Sequence, residues 1–149
     1  LSSGADSVCI CSAAFNNFKF IKQAVDKYGG QAIKISVDYF YQNNQTFLVF
    51  NPGFIKYKIN IVNYIEEISK LGISEIILTC INNDGQMQGY DLNLISNTKK
   101  HNDVGVILNG GAGNYSHMLE AFNYSSVMGV CASSIFHFTE QTPAKARHF

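Results

Sequence analysis

The amino-acid sequence predicts an α/β fold organised on a parallel sheet, as a single domain over residues 1–149. Three observations carry that prediction. Short apolar segments recur along the chain, segments with apolar residues at helical spacing lie between them, and glycine or polar turns separate the two kinds. With 46% hydrophobic and 13% aromatic residues, the chain has enough apolar material for one packed core.

Residues 7–11 read as a first strand. Residues 17–28 read as a helix, because Phe18, Ile21, Val25 and Tyr28 recur on one face before Gly29 and Gly30 stop it. Residues 32–38 alternate Ile33, Ile35 and Val37 against Lys34, Ser36 and Asp38, a period of two that predicts a strand ending at Asp38. The polar run 42–45 leads into residues 46–50, read as a small hairpin excursion. A helix over 60–71 runs through Ile61, Tyr64, Ile65 and Ile68 and stops at Gly72. Strand 75–79 with helix 92–100, and strand 105–108 with helix 116–122, form two further units. The last strand, 127–131, precedes Ser133 and Ser134, and a short tail after Pro143 starts another element. Five strands alternating with four helices imply right-handed crossovers and parallel pairing.

Composition excludes several classes of partner. Eleven Lys and Arg balance eleven Asp and Glu, so no basic footprint points to nucleic acid or an anionic membrane. No apolar run approaches the ~18 residues of a membrane span, and no secretion signal opens the chain. The reading is a cytoplasmic protein that meets small molecules or other proteins. Cys9, Cys11, Cys80 and Cys131 lack any zinc-site spacing and read as reduced thiols, with Cys9 and Cys11 on one strand face. His101, His117, His137 and His148 are scattered, and neither a metal nor a cofactor is expected. Sequons at Asn44, Asn114 and Asn123 read as chance matches. The chain opens on Leu1 with a strand almost at once, which reads as a piece of a longer protein.

Parallel sheets hold their ligands at the carboxyl ends of the strands. That rule selects Asp38, residues 79–84, residues 109–113, Ser133 and Ser134. Within VILNGGAGNYSHMLEAF, residues 106–122, a glycine-rich loop between strand and helix presents backbone N–H groups at the positive end of a helix dipole. Gly110, Gly111 and Gly113 there suit a phosphate, whereas a tight turn of positive φ needs only one glycine. Asp38 is a general acid or base, or else a turn former. Loop 79–91 covers a substrate or is a plain surface turn. Aligning Gly85 with the invariant glycine of a calcium loop puts Cys80 and Asp91 at ligand positions that demand Asp and Glu, which argues against calcium. Lys34 shares the strand face of Asp38, and Glu75 is its nearest counter-charge if that face is enclosed.

The stretches GADSVCICSAAF, AIKISVDYF, GISEIILTCINNDGQMQGYD, LNGGAGNYSHMLEAF and ASSIFHFTE together resemble the cyclase subunit of imidazole glycerol phosphate synthase, the HisF type, over nearly the whole chain. The resemblance implies a partial (β/α)8 TIM barrel of the ribulose-phosphate-binding type, about five strand-helix units running from the fourth barrel strand onward. It also implies an ammonia-dependent lyase and cyclase of histidine biosynthesis, acting on a bis-phosphate ribulosyl substrate and fed by a glutaminase subunit. Asp38 takes the place of the family's second catalytic aspartate. Gly111, Ser133 and Ser134 match the phosphate site after the last two strands, joined by Gly110 and Gly113, with Asn109 where a small hydroxyl residue is usual. Asp84 matches the loop carboxylate near the other phosphate site, Ser12 and Thr79 fall in the substrate-binding set, and Glu75 matches one member of the charged ring that admits ammonia.

The departures are equally specific. The first three strands, with the first catalytic aspartate, have no counterpart in the chain, so inactivity of the chain alone is expected. Cys11 stands for an asparagine, Ser7 for the lysine of the charged ring, Lys34 for a small or apolar residue and Asn82 for an aspartate. Two alternatives follow: a HisF-like ammonia-transferring synthase that amidinates a bacterial surface sugar, or a phosphate-binding half-barrel without catalysis. Open strand edges also imply a homo-oligomer.

Overall fold

Period-two alternation of branched apolar residues against polar ones builds the sheet. The computed structural model describes residues 1–15, 17–50, 55–98 and 104–149. Its strands are β1 (Val8–Ile10), β2 (Ile33–Gln42), β3 (Gln45–Phe50), β4 (Ile55–Lys58), β5 (Glu75–Cys80), β6 (Gly105–Asn109) and β7 (Val127–Val130). β1, β2, β5, β6 and β7 lie side by side and parallel in that order, as the alternation with helices predicts.

β2 is longer than the predicted 32–38. Its first residues pair with β1, and residues beyond Asp38 continue as one arm of an antiparallel meander with β3 and β4. Asn43 and Asn44, both left-handed with φ of 50° and 57°, close the two-residue turn between β2 and β3. Asp38 therefore sits within β2, level with Thr79, one residue before the end of β5, and with Asn109 at the end of β6, rather than at its own strand's end.

The helices are α1 (Phe18–Tyr28), α2 (Ile61–Ser69), α3 (Leu92–Thr98), α4 (Tyr115–Phe122), α5 (Ser134–Phe138) and α6 (Pro143–Ala146). Asn17, Asn60, Asn114 and Thr142 cap α1, α2, α4 and α6 by accepting a first-turn N–H. Predicted residues Lys99, Lys100 and His101 lie outside the described ones. α5 has no counterpart in the sequence reading, because five residues are too few to display a helical period.

One face of the sheet carries the core. Ile33, Ile35, Val37 and Tyr39 of β2, Ile76 and Leu78 of β5, and Val106 and Leu108 of β6 are buried with Ile21, Ile65, Ile68, Leu94, Ile95 and Ile135 of the helices. Lys34, Ser36 and Asp38, then Glu75, Ile77 and Thr79, then Ile107 and Asn109 occupy the other face and are only partly buried. Among the described residues the sheet is not closed: β1, β4 and β7 each pair on one side only. No described helix is long and apolar enough to cross a membrane.

Candidate active site

Parallel register brings the polar candidates into rows across the partly open face. Asp38 pairs with Thr79, and Thr79 with Asn109. The Asn109 side-chain amide donates to the Thr79 hydroxyl at 3.2 Å. The Ser36 hydroxyl donates to one oxygen of Asp38 at 3.2 Å, and the Cys11 thiol reaches the other at 3.9 Å. Burial, then the Asp38 carboxylate, push the Cys11 thiol up from its ordinary value. Ser12 opens a short 3-10 turn directly after β1, beside this row. Cys9 is exposed rather than packed, and all four cysteines are free thiols.

Two positions below Asp38 on the same face, Lys34 forms an ion pair with Glu75, its register partner on β5. The sequence pairs these charges only if the face is enclosed. Here each side chain keeps about a quarter of its exposure, 23% and 27%, so the contact forms on a half-sheltered surface.

Each glycine of the loop after β6 has a packing reason. Gly110 and Gly111 have φ of +89° and +107°, and a Cβ on Gly111 would fall 2.1 Å from the Gly89 carbonyl oxygen. A Cβ on Gly113 would fall 1.9 Å from the Met87 carbonyl oxygen. Three glycines here are thus accounted for by the close approach of the loop after β5, so their number alone is no argument for phosphate. The Gly113 N–H is occupied as well, donating to Nδ1 of His117 at 3.1 Å.

Asp84, Asn109, Gly110, Gly111, Ser133 and Ser134 do converge, around a recess of about 20 Å³. That volume admits a group the size of one water or one phosphoryl oxygen. Its lining holds no Lys or Arg, so an anion there would rely on backbone N–H groups and hydroxyls. The Ser133 hydroxyl makes no capping bond to α5. Gly113, Thr79 and Ser12 lie outside this lining.

Sequence reasoning missed the clamp that holds the loop after β5. Asp91 accepts the hydroxyls of Tyr39 and Tyr41 at 2.9 and 2.8 Å and caps α3 through the Leu94 N–H. Burial first, and Asp91 with it, push both tyrosines well above the ordinary phenol value. The Asn82 amide accepts from the Tyr41 N–H at 2.7 Å and donates back to its carbonyl at 3.3 Å, extending the pairing of β2. Gly89 donates to the Gly111 carbonyl at 2.7 Å, pinning the loop to the glycine turn. The Tyr39 and Tyr41 contacts with Asp91 span 52 and 50 residues and the Asn82 contact with Tyr41 spans 41, and no local period announces them. Ser36 was also missed, although its place two residues before Asp38 on one strand face was a signal that could have found it.

The arrangement defines an α/β protein whose polar groups collect near the carboxyl ends of parallel strands, the position where such sheets hold small ligands. A family model described as histidine biosynthesis protein matches residues 1–142. The chain belongs to that family. The imidazole glycerol phosphate synthase subunit HisF of Hydrogenobaculum sp. (strain Y04AAS1) is 37% identical over 139 residues, covering 93% of this chain and 55% of that protein. The subunit of the same name from Streptococcus mutans serotype c is 33% identical over 148 residues, 99% of this chain and 59% of that protein. That of Staphylococcus aureus (strain JH9) is 33% identical over 144 residues, 95% and 57%. The chain spans a little over half the length of these relatives.

Proposed function

We propose that this chain contributes the carboxyl-terminal strands of a (β/α)8 cyclase of the imidazole glycerol phosphate synthase type, acting in histidine biosynthesis on a bis-phosphate ribulosyl substrate. The row Asp38, Thr79 and Asn109, set by the register of β2, β5 and β6, is the observation that carries the reading. Breaking the substrate and closing a new ring with ammonia needs a proton donor and a proton acceptor. Asp38 supplies one of the two. The recess at the Asn109 end of the row, with Asp84, Gly110, Gly111, Ser133 and Ser134, receives an oxygen of one phosphate, while Thr79 stands in the row between Asp38 and Asn109 and Ser12, after β1, meets the substrate on the far side of Asp38. Gly113 holds the turn in shape through His117. Glu75, with Lys34 beside it, stands at the entry for ammonia, delivered by a glutaminase subunit.

The open sheet favours a second reading of the chain by itself, a phosphate-binding half-barrel without turnover. Only one carboxylate of an acid–base pair stands in the row. Ammonia-dependent consumption of the bis-phosphate substrate by the purified chain separates the two. Turnover that Asp38→Asn abolishes, with substrate binding kept, supports the cyclase. Binding without turnover supports the half-barrel, and full rate in Asp38→Asn removes this residue from the mechanism.

A further inference from the structure

Among the described residues, the carboxylate of Asp38 is gripped from two directions. Ser36, two positions earlier on β2 and on the same face, donates to Oδ1, while Cys11, the residue that follows the neighbouring β1, approaches Oδ2. A carboxylate oxygen accepts hydrogen bonds, so two donors on two oxygens fix the rotation of the group. The thiol is the weaker donor, and its 3.9 Å contact is long. Its place, just beyond the end of β1 and so on a separate segment from Asp38, gives it leverage that Ser36 lacks.

We infer that Cys11 and Ser36 are positioning residues that fix the rotation of the Asp38 carboxylate, at its place in the row with Thr79 and Asn109, as a proton acceptor. This deepens the proposed function and rests on its assignment of Asp38. The contact is reciprocal: a carboxylate that takes a hydrogen bond from a thiol opposes loss of the thiol proton. Besides Asp38, the groups facing Cys11 are Cys9 on the preceding strand, Ser12 in the following turn and the Tyr64 hydroxyl from α2, with Lys34 nearer to Cys9.

Iodoacetamide labelling, followed for each cysteine by peptide mass spectrometry from about pH 7 to about pH 10, reads the contact directly. The Cys11 midpoint is expected to fall in Asp38→Asn and, by less, in Ser36→Ala. Cys131, raised by burial alone, is expected to stay unchanged and serves as the internal reference. Superimposable Cys11 profiles in the chain and in Asp38→Asn overturn the inference. In the ammonia-dependent assay, Cys11→Ala is expected to lower kcat about tenfold at unchanged KM, and Cys11→Ser to restore it. A wild-type rate in Cys11→Ala also overturns the inference. Loss of the Asp38 role, seen as full rate in Asp38→Asn, instead overturns the proposed function while labelling still reports the thiol contact.

Discussion

Asp38 and Lys34 show how differently two charges on one strand face are met. Asp38 finds neutral donors, and Lys34 finds an opposite charge. Removing one partner of a sheltered ion pair leaves the other without compensation. Lys34→Met is therefore expected to cost about 1–2 kcal/mol in urea unfolding, below the ~3–5 kcal/mol of a fully buried pair because a quarter of each side chain stays wet. Adding Glu75→Gln should recover most of that loss. Equal losses in the single and double variants would mean that the pair contributes nothing. The pairing was readable as soon as two strands were placed side by side. The grip on Asp38 was not, because a cysteine just after β1 gives no sign of which strand it will face.

At the scale of elements, the glycine turn and the loop after β5 form one interlocked unit. Backbone from one occupies the space a side chain would need on the other. Gly111→Ala combines a left-handed φ with a Cβ 2.1 Å from a carbonyl oxygen. We expect it to destabilise the chain by at least ~2 kcal/mol and to open the loop to protease within residues 81–91. Unchanged stability and cleavage would show that the two segments are not locked together. The sequence located this turn and its flanking strand and helix correctly, because glycine punctuation and apolar period are local signals. Its reason for three glycines was different: the space is taken by Met87 and Gly89, not only by a ligand.

For the molecule as a whole, two consequences follow. Burial pushes the Tyr64 hydroxyl from its ordinary value near 10 up to about 12, and Tyr39, Tyr41 and Tyr90 are raised for the same leading cause. A group whose pKa is raised on folding stabilises fully below the unfolded value and loses that contribution as pH climbs through the folded one. The urea midpoint is thus expected to fall between about pH 10 and about pH 12, less steeply in Tyr64→Phe. A flat midpoint over that range would contradict the burial of these phenols. The second consequence concerns edges. β4 carries Lys56 and Lys58, charges that blunt edge pairing, whereas β1 and β7 carry no charge at all. We propose that β1 and β7 pair with a second copy, and we expect light scattering to find an oligomer. A monomer that unfolds cooperatively would count against this.

By itself the sequence determined the class of fold, the order of the parallel strands and of the longer helices, and the face of β2 on which Asp38 and Lys34 lie. Those follow from periods of two and of three to four, which each segment carries within itself. It also carried the family, since motif order is a property of the chain. Only the tertiary structure decided that β2 runs on past Asp38, that Tyr39 and Tyr41 converge on Asp91, and that Cys11 faces the candidate base. Each of these depends on which strands become neighbours and in what register, and that is settled by burying one shared apolar face rather than by any local run of residues.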